Sequence, residues 1–143
     1  MSRHLLSRRR WLALLPAAAA TPSLAQSAAN GPSAFMARAA AMRAAAIAAG
    51  DQPFGAVVVR DGRLVGEAPS AVVTRADPTA HAEMEAIRDA ARRLGTRDLA
   101  GAVLYSTSHP CAMCEAAASW AGIARMVHGE ALADAGAPRL VRC

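Results

Sequence analysis

The chain of 143 residues is one domain's worth of polypeptide, enough to bury a proper core and too little for a second domain. Its formal net charge of +5 comes from 16 basic residues, all arginine, against 11 acids, and the two are unevenly spread: Arg3, Arg8, Arg9 and Arg10 crowd the start, while every acid lies at Asp51 or beyond. Setting those four arginines aside leaves 12 against 11 acids, a formal +1, with only Phe35, Phe54, Tyr105 and Trp120 as aromatics beyond residue 25. A nucleic-acid surface, which wants a basic face and stacking aromatics, is disfavoured.

Residues 1–25 read as an export signal: a positive start, an apolar run from Trp11 to Ala20, and a small-x-small end at Ser23-Leu24-Ala25. The run is too short for a spanning helix, which needs about 20 apolar residues, and Pro16 interrupts it. Ser7-Arg8-Arg9-Arg10-Trp11-Leu12 resembles the twin-arginine type of signal, whose cargo leaves the cytoplasm folded; ordinary secretion is the alternative. The expected destination is the periplasm, with no membrane contact after the signal is removed. Residues 26–34, with Asn30-Gly31-Pro32, read as a linker, and the domain as 35–143.

Within that domain residues 35–49 form an alanine-rich helical stretch stopped by Gly50. Two β-rich runs, 54–59 and 63–66, flank Asp61-Gly62, a hairpin signal that makes the first two strands antiparallel. Asp77 is the expected cap of a second helix with Pro78 at its first position; Ala80, Met84, Ile87, Ala91 and Leu94 recur at helical spacing until Gly95. These apolar residues are core, Met84 included. Residues 102–106 read as a third strand, 111–121 as a helix closed by Gly122, and 126–128 as a short fourth strand. With a proline opening each of the last two helices, His81, Cys111 and Cys114 all fall in first turns. Partial positive charge there favours thiolates and lowers the cysteine pKa.

Two stretches carry the chemistry: His81-Ala82-Glu83 and Pro110-Cys111-Ala112-Met113-Cys114. One imidazole and a Cys-x-x-Cys pair supply three zinc ligands, leaving a fourth position free beside a carboxylate that is not a ligand, which is the composition of a catalytic site. Cys143 could close the set as a structural site, but nothing else in the sequence prompts it. Cys-x-x-Cys alone is a weak signal, shared with redox motifs and half zinc fingers, and buried core thiols or a satisfied surface histidine are the bland alternatives. The combined pattern is far more specific.

His-x-Glu followed by Pro-Cys-x-x-Cys is the zinc deaminase signature, with the glutamate as general acid and base. From about residue 35 to 129 the chain resembles the cytidine deaminase-like superfamily. Pro53-Phe54-Gly55-Ala56-Val57, Asp77-Pro78-Thr79-Ala80-His81-Ala82-Glu83 and the Pro-Cys-x-Met-Cys block look most like the guanine and nucleobase deaminase branch, with tRNA adenosine deaminases as close cousins. The resemblance implies an α/β three-layer α/β/α sandwich with a mixed β-sheet, shortened at the C-terminus. It further implies Zn2+ held by His81, Cys111 and Cys114, Glu83 as the catalytic proton shuttle, and substrate contacts from the Ala82 N–H, a Phe54 stacking wall and Ser70. Ser70 stands where this branch usually has an asparagine, and His109 where it has a glutamate, as a fourth ligand, a proton relay or a solvent-exposed cap. His128 reads as a strand residue with a satisfied ring.

The function implied is hydrolytic deamination of a small-molecule nucleobase or nucleoside, guanine favoured, with ammonia released. A tRNA adenosine deaminase-like enzyme and a non-catalytic zinc protein of the same fold are the alternatives. Homodimer formation through the first helix, with Met36 and Met42, and packing of that helix within one chain are both open.

Overall fold

The computed structural model describes residues 31–139. The expected export signal at 1–25, most of the linker, and Cys143 lie outside the described residues. Chain order is α1 (Pro32–Ala48), β1 (Gly55–Arg60), β2 (Arg63–Pro69), α2 (Ala82–Leu94), β3 (Val103–Ser106), α3 (Ala112–Trp120), β4 (Arg125–His128) and β5 (Ala133–Gly136). The strands form one mixed sheet in the order β2-β1-β3-β4-β5, with only the β3–β4 pair parallel. No helix among the described residues is long and apolar enough to cross a membrane.

Period-two alternation on β1 builds the layers. Ala56 and Val58 point to one face, where they join Leu104, Met126 and the α2 alanines Ala82, Ala86 and Ala90 in one core cluster. Val57 and Val59 point to the other, against Phe35, Met36 and Ala39 of α1 and Tyr105 of β3. Phe35 and Tyr105 rings meet at 5.5 Å. A helix on each face makes the three-layer sandwich the sequence implied. Asp61 and Gly62, both left-handed at φ 51° and 70°, close the β1–β2 hairpin in the two-residue turn their identities favour.

Three boundaries differ from expectation by more than one residue, and a fifth strand is added. Helix α1 starts at Pro32, three residues early, because proline's fixed φ suits the first turn and Gly31 is the cap. Helix α2 starts at Ala82 and not at Pro78: the Asp77 carboxylate accepts from the Thr79 N–H and hydroxyl at 2.8 and 2.7 Å, a local turn that competes with helix, so the cap passes to His81. Strand β2 runs on to Pro69. Strand β5 follows β4 although Ala133-Asp134-Ala135-Gly136 holds no β-branched or aromatic residue; pairing with β4 and an Arg125–Asp134 ion pair at 3.2 Å hold it.

Helices ride close to the sheet. A Cβ on Gly55 would lie 2.3 Å from both the Ala39 oxygen and the Arg43 nitrogen of α1, and one on Gly66 2.5 Å from the Ala86 oxygen and 2.6 Å from the Ala90 nitrogen of α2. Across the top of these contacts Arg38 clasps Glu67 with two bonds, at 2.6 and 2.8 Å, tying α1 to β2. Arg93 of α2 reaches Asp89 at 2.8 Å, and Asp89 in turn accepts the Glu67 N–H at 3.1 Å.

Four carboxyls are held below their ordinary range, Asp77 by its bonds from the Thr79 hydroxyl and N–H. Hydrogen bonding to Arg38 does this for Glu67. Burial pushes Glu85 up, but its bonds from Arg88 and from Arg75 more than offset that. Burial likewise pushes Asp51 up, and bonds from the Thr74 N–H, the Ser70 hydroxyl, the Gln52 N–H and the Thr74 hydroxyl outweigh it.

Gly66→Ala should destabilise the fold by about 1–3 kcal/mol, seen as a drop of several degrees in melting midpoint, because backbone of α2 has nowhere to go. Depressed carboxyl pKa values contribute stability that is fully present above the unfolded-state values near pH 4 and lost as pH falls through the folded ones. A melting midpoint flat from neutrality to about pH 5 and falling below about pH 4 is therefore expected in a pH series followed by circular dichroism.

Candidate metal centre and active site

Both chemistry-bearing stretches arrive at one end of the sheet. His81 is the N-cap of α2, Cys111 the N-cap of α3, and Cys114 the third residue inside α3. All three lie at helix starts, as expected, although two of them are caps and not first-turn residues. Extended backbone at each cap, ψ 151° for His81 and 170° for Cys111, turns the side chain out of the helix and towards the other motif.

The three donor atoms form a near-equilateral triangle. Cys111 Sγ lies 3.6 Å from Cys114 Sγ and 3.7 Å from His81 Nδ1, and Cys114 Sγ 3.6 Å from the same nitrogen. Zinc bonds of about 2.3 Å to sulfur and 2.0–2.1 Å to nitrogen, at tetrahedral angles, demand donor separations of about 3.5–3.8 Å. The separations observed match the edges of a zinc tetrahedron, three corners of which the described residues supply, and the donor chemistry fits zinc. Among the described residues this is the one group of three such donors, half-buried at His81, exposed at Cys111 and buried at Cys114.

Glu83 lies against Cys114 without joining the group. It is 4% exposed, its Oε1 accepts the Ser106 hydroxyl at 2.8 Å, and its Oε2 faces Cys114 Sγ at 3.7 Å. Ser106 was missed in the sequence. The available signal was a hydroxyl closing an otherwise apolar strand, at the point where β3 delivers the chain to Pro110 and Cys111. The expected fall in the Cys114 pKa is reversed: burial first, then the Glu83 charge, push that thiol up, since desolvation outweighs the helix dipole. Only metal coordination reverses the balance.

The remaining assignments sort by exposure. Phe54 presents an open face at 37% exposure. Ala82 is fully buried and Ser70 nearly so, at 3%, and the Ser70 hydroxyl is spent on Asp51 Oδ1 at 2.8 Å. His109 lies outside the donor group: its Nδ1 sits 2.8 Å from the Pro110 carbonyl oxygen, and its ring meets that of His128 edge-on at 4.7 Å. Asp51, also missed, is the first acid in the chain and follows directly on the glycine that ends α1.

A family model for the cytidine and deoxycytidylate deaminase zinc-binding region matches residues 30–130. Guanine deaminase of Bacillus subtilis is 44% identical over 88 residues, 61% of this chain and 56% of that protein. The tRNA-specific adenosine deaminase of Aquifex aeolicus is 49% identical over 65 residues, 46% of this chain and 43% of that one. The chain thus spans about half the length of the curated relatives it matches. A solved structure of guanine deaminase from Bacillus subtilis superimposes with a TM-score of 0.66 at 39% identity, covering 69% of this chain and 64% of that chain. With its three-cornered donor group, the neighbouring Glu83 and the sandwich beneath them all inside the matched span, this chain belongs to the cytidine and deoxycytidylate deaminase family.

Proposed function

We propose that the chain is a zinc-dependent hydrolase that converts an exocyclic amine of a free nucleobase or nucleoside, guanine first, to a carbonyl with release of ammonia. One observation carries this reading: His81, Cys111 and Cys114 bring three zinc donors together, and the buried Glu83 carboxylate lies 3.7 Å from one of them. A zinc ion held by His81, Cys111 and Cys114 would supply a water nucleophile at neutral pH. Ser106 occupies Oε1 of Glu83, so Oε2 is the oxygen that takes the proton from the attacking water. Glu83 would pass that proton to the ring nitrogen, then take the proton of the newly added hydroxyl and hand it to the amine, which leaves as ammonia as the carbonyl forms. Phe54, at 37% exposure, is the wall assigned to the base, with the Ala82 N–H and Ser70 as the further contacts the family resemblance implies.

Similarity to a tRNA-specific adenosine deaminase favours a second reading, in which adenosine in tRNA is the substrate. The near-neutral balance of 12 arginines and 11 acids beyond residue 25 supports the small molecule. Ammonia release from guanine, cytosine, adenine, their nucleosides and tRNA separates the two. Faster deamination of tRNA than of every free base would overturn the first.

Residues 1–25 are assigned to export by the twin-arginine route, which supports metal binding before exposure to oxidants. Two sulfurs 3.6 Å apart would otherwise be prone to pairing in an oxidising compartment.

Glu83→Gln should keep about one zinc per chain by metal analysis and lose 10²- to about 10⁴-fold in turnover. Loss of zinc together with activity would refute the role given to Glu83. Cys111→Ala should lose zinc and, with it, thermal stability, since ligation and folding are coupled. Replacing Arg8 and Arg9 together by lysine should hold zinc-bearing precursor in the cytoplasm on cell fractionation, whereas undiminished mature protein in the periplasm would refute the twin-arginine route.

A further inference from the structure

Asp51 has no part in the chemistry above, yet its carboxylate is the most heavily hydrogen-bonded acid described. Oδ1 accepts the Gln52 N–H and the Ser70 hydroxyl, each at 2.8 Å. Oδ2 accepts the Val73 N–H at 3.0 Å, the Thr74 N–H at 2.8 Å and the Thr74 hydroxyl at 2.9 Å. None of the five donors is a cation. A carboxylate only 9% exposed is kept charged by neutral dipoles alone.

Those donors belong to the segment that ends in a metal ligand. Between Pro69 and Ala82 the chain has no helix or strand, and it holds itself together by turns: the Arg75 N–H to the Ala71 carbonyl at 3.0 Å, the Asp77 N–H to the Val72 carbonyl at 3.1 Å and the Ala71 N–H to the Ala80 carbonyl at 3.0 Å. The last of these closes the loop beside His81. From outside, the segment is gripped at three points. The Ser70 N–H bonds the Phe54 carbonyl at 3.0 Å, Arg75 pairs with Glu85 of α2 at 2.7 Å, and Asp51 takes the middle. Asp51 is itself fixed, its N–H bonding the Ala46 carbonyl at the end of α1 at 2.9 Å.

We propose that Asp51 is a positioning residue: by binding Ser70, Val73 and Thr74 it fixes the lead-in that delivers His81 to the metal, linking the end of α1 to the zinc corner. The inference rests on the reading of His81, Cys111 and Cys114 as a zinc centre. It does not need the deaminase activity. An amide in place of the carboxylate cannot do the same job. The Ser70 and Thr74 hydroxyls rotate to accept a bond as readily as to donate one, but backbone N–H groups do not. With its NH2 at the Oδ1 place, asparagine confronts the Gln52 N–H; at the Oδ2 place it confronts those of Val73 and Thr74.

The test is zinc affinity of the full chain by chelator competition, with the visible spectrum of the cobalt-substituted protein as a report on ligand geometry. Asp51→Asn should weaken zinc binding by about tenfold, as loss of an outer support to a ligand does, and shift the cobalt bands. Glu67→Gln is the control, because it breaks the Arg38 clasp between α1 and β2 and lowers the melting midpoint through the same helix; it should leave zinc affinity within about twofold. Should Asp51→Asn fail to fold, Thr74→Val removes one donor on an exposed residue and should weaken zinc about threefold. Zinc affinity and cobalt bands unchanged in Asp51→Asn, or in Thr74→Val where that is the variant that folds, would overturn the proposal. So would an equal loss in Glu67→Gln. A wild-type chain that takes up no zinc would instead sink the metal-centre reading, and one that takes up zinc but deaminates no base would sink only the proposed activity.

Discussion

Everything at the working end of this molecule depends on three donor atoms, two sulfurs and one nitrogen, being brought to within 3.6–3.7 Å of one another. Burial and the facing Glu83 carboxylate push the Cys114 thiol up, which disfavours the charged form that a metal ion requires. The cost is borne by the scaffold. Two helices must begin side by side, at the same end of one sheet, with their caps and not their bodies turned inward. Extended backbone at His81 and Cys111 achieves this, and the strands that precede the helices fix where each begins.

The sheet does so through its two central strands. Pairing of Ala56 with Ser106 places the start of β1 and the end of β3 together, and the parallel pairing of Ser106 with His128 brings the end of β4 to the same place. Thr107 and Gly55 then exchange two further bonds, at 3.0 and 3.1 Å, just past the ladder. Phe54, Ser106, His109 and His128 are gathered at one end by strand direction alone. Ser106 serves two layers at once, in the ladder through its backbone and on Glu83 through its hydroxyl.

What was legible in the sequence was whatever is written in local pattern. The hairpin at Asp61-Gly62 and the helical spacing from Met84 to Leu94 depend on neighbours within a turn or two, and the ligand triplet was legible as two short motifs, His-x-Glu and Cys-x-x-Cys, each local in itself. Strand β5 was not legible, because its alanines and aspartate carry no intrinsic preference and only β4 makes them a strand. The start of α2 was misread since Asp77-Pro78 suits a cap as well as a turn, and the bond from Thr79 decides between them. Asp51 and Ser106 escaped for a different reason. Each acts on a partner roughly 20 residues away in sequence, 23 for Ser106 and Glu83, and no periodicity reports a contact of that kind.

The core on the α2 side is lined largely by alanine, from Ala56 and Ala68 in the sheet to Ala82, Ala86 and Ala90 in the helix, with Gly66 beneath them. Methyl groups meeting methyl groups leave little slack, so a larger side chain at any of these places is accommodated by lifting the helix and not by a rotamer change. Lifting α2 moves its cap, and its cap is a ligand. Sequence drift in this layer is therefore coupled to metal affinity. The inner face of α2 is thus held to the smallest residues by helix height as much as by packing.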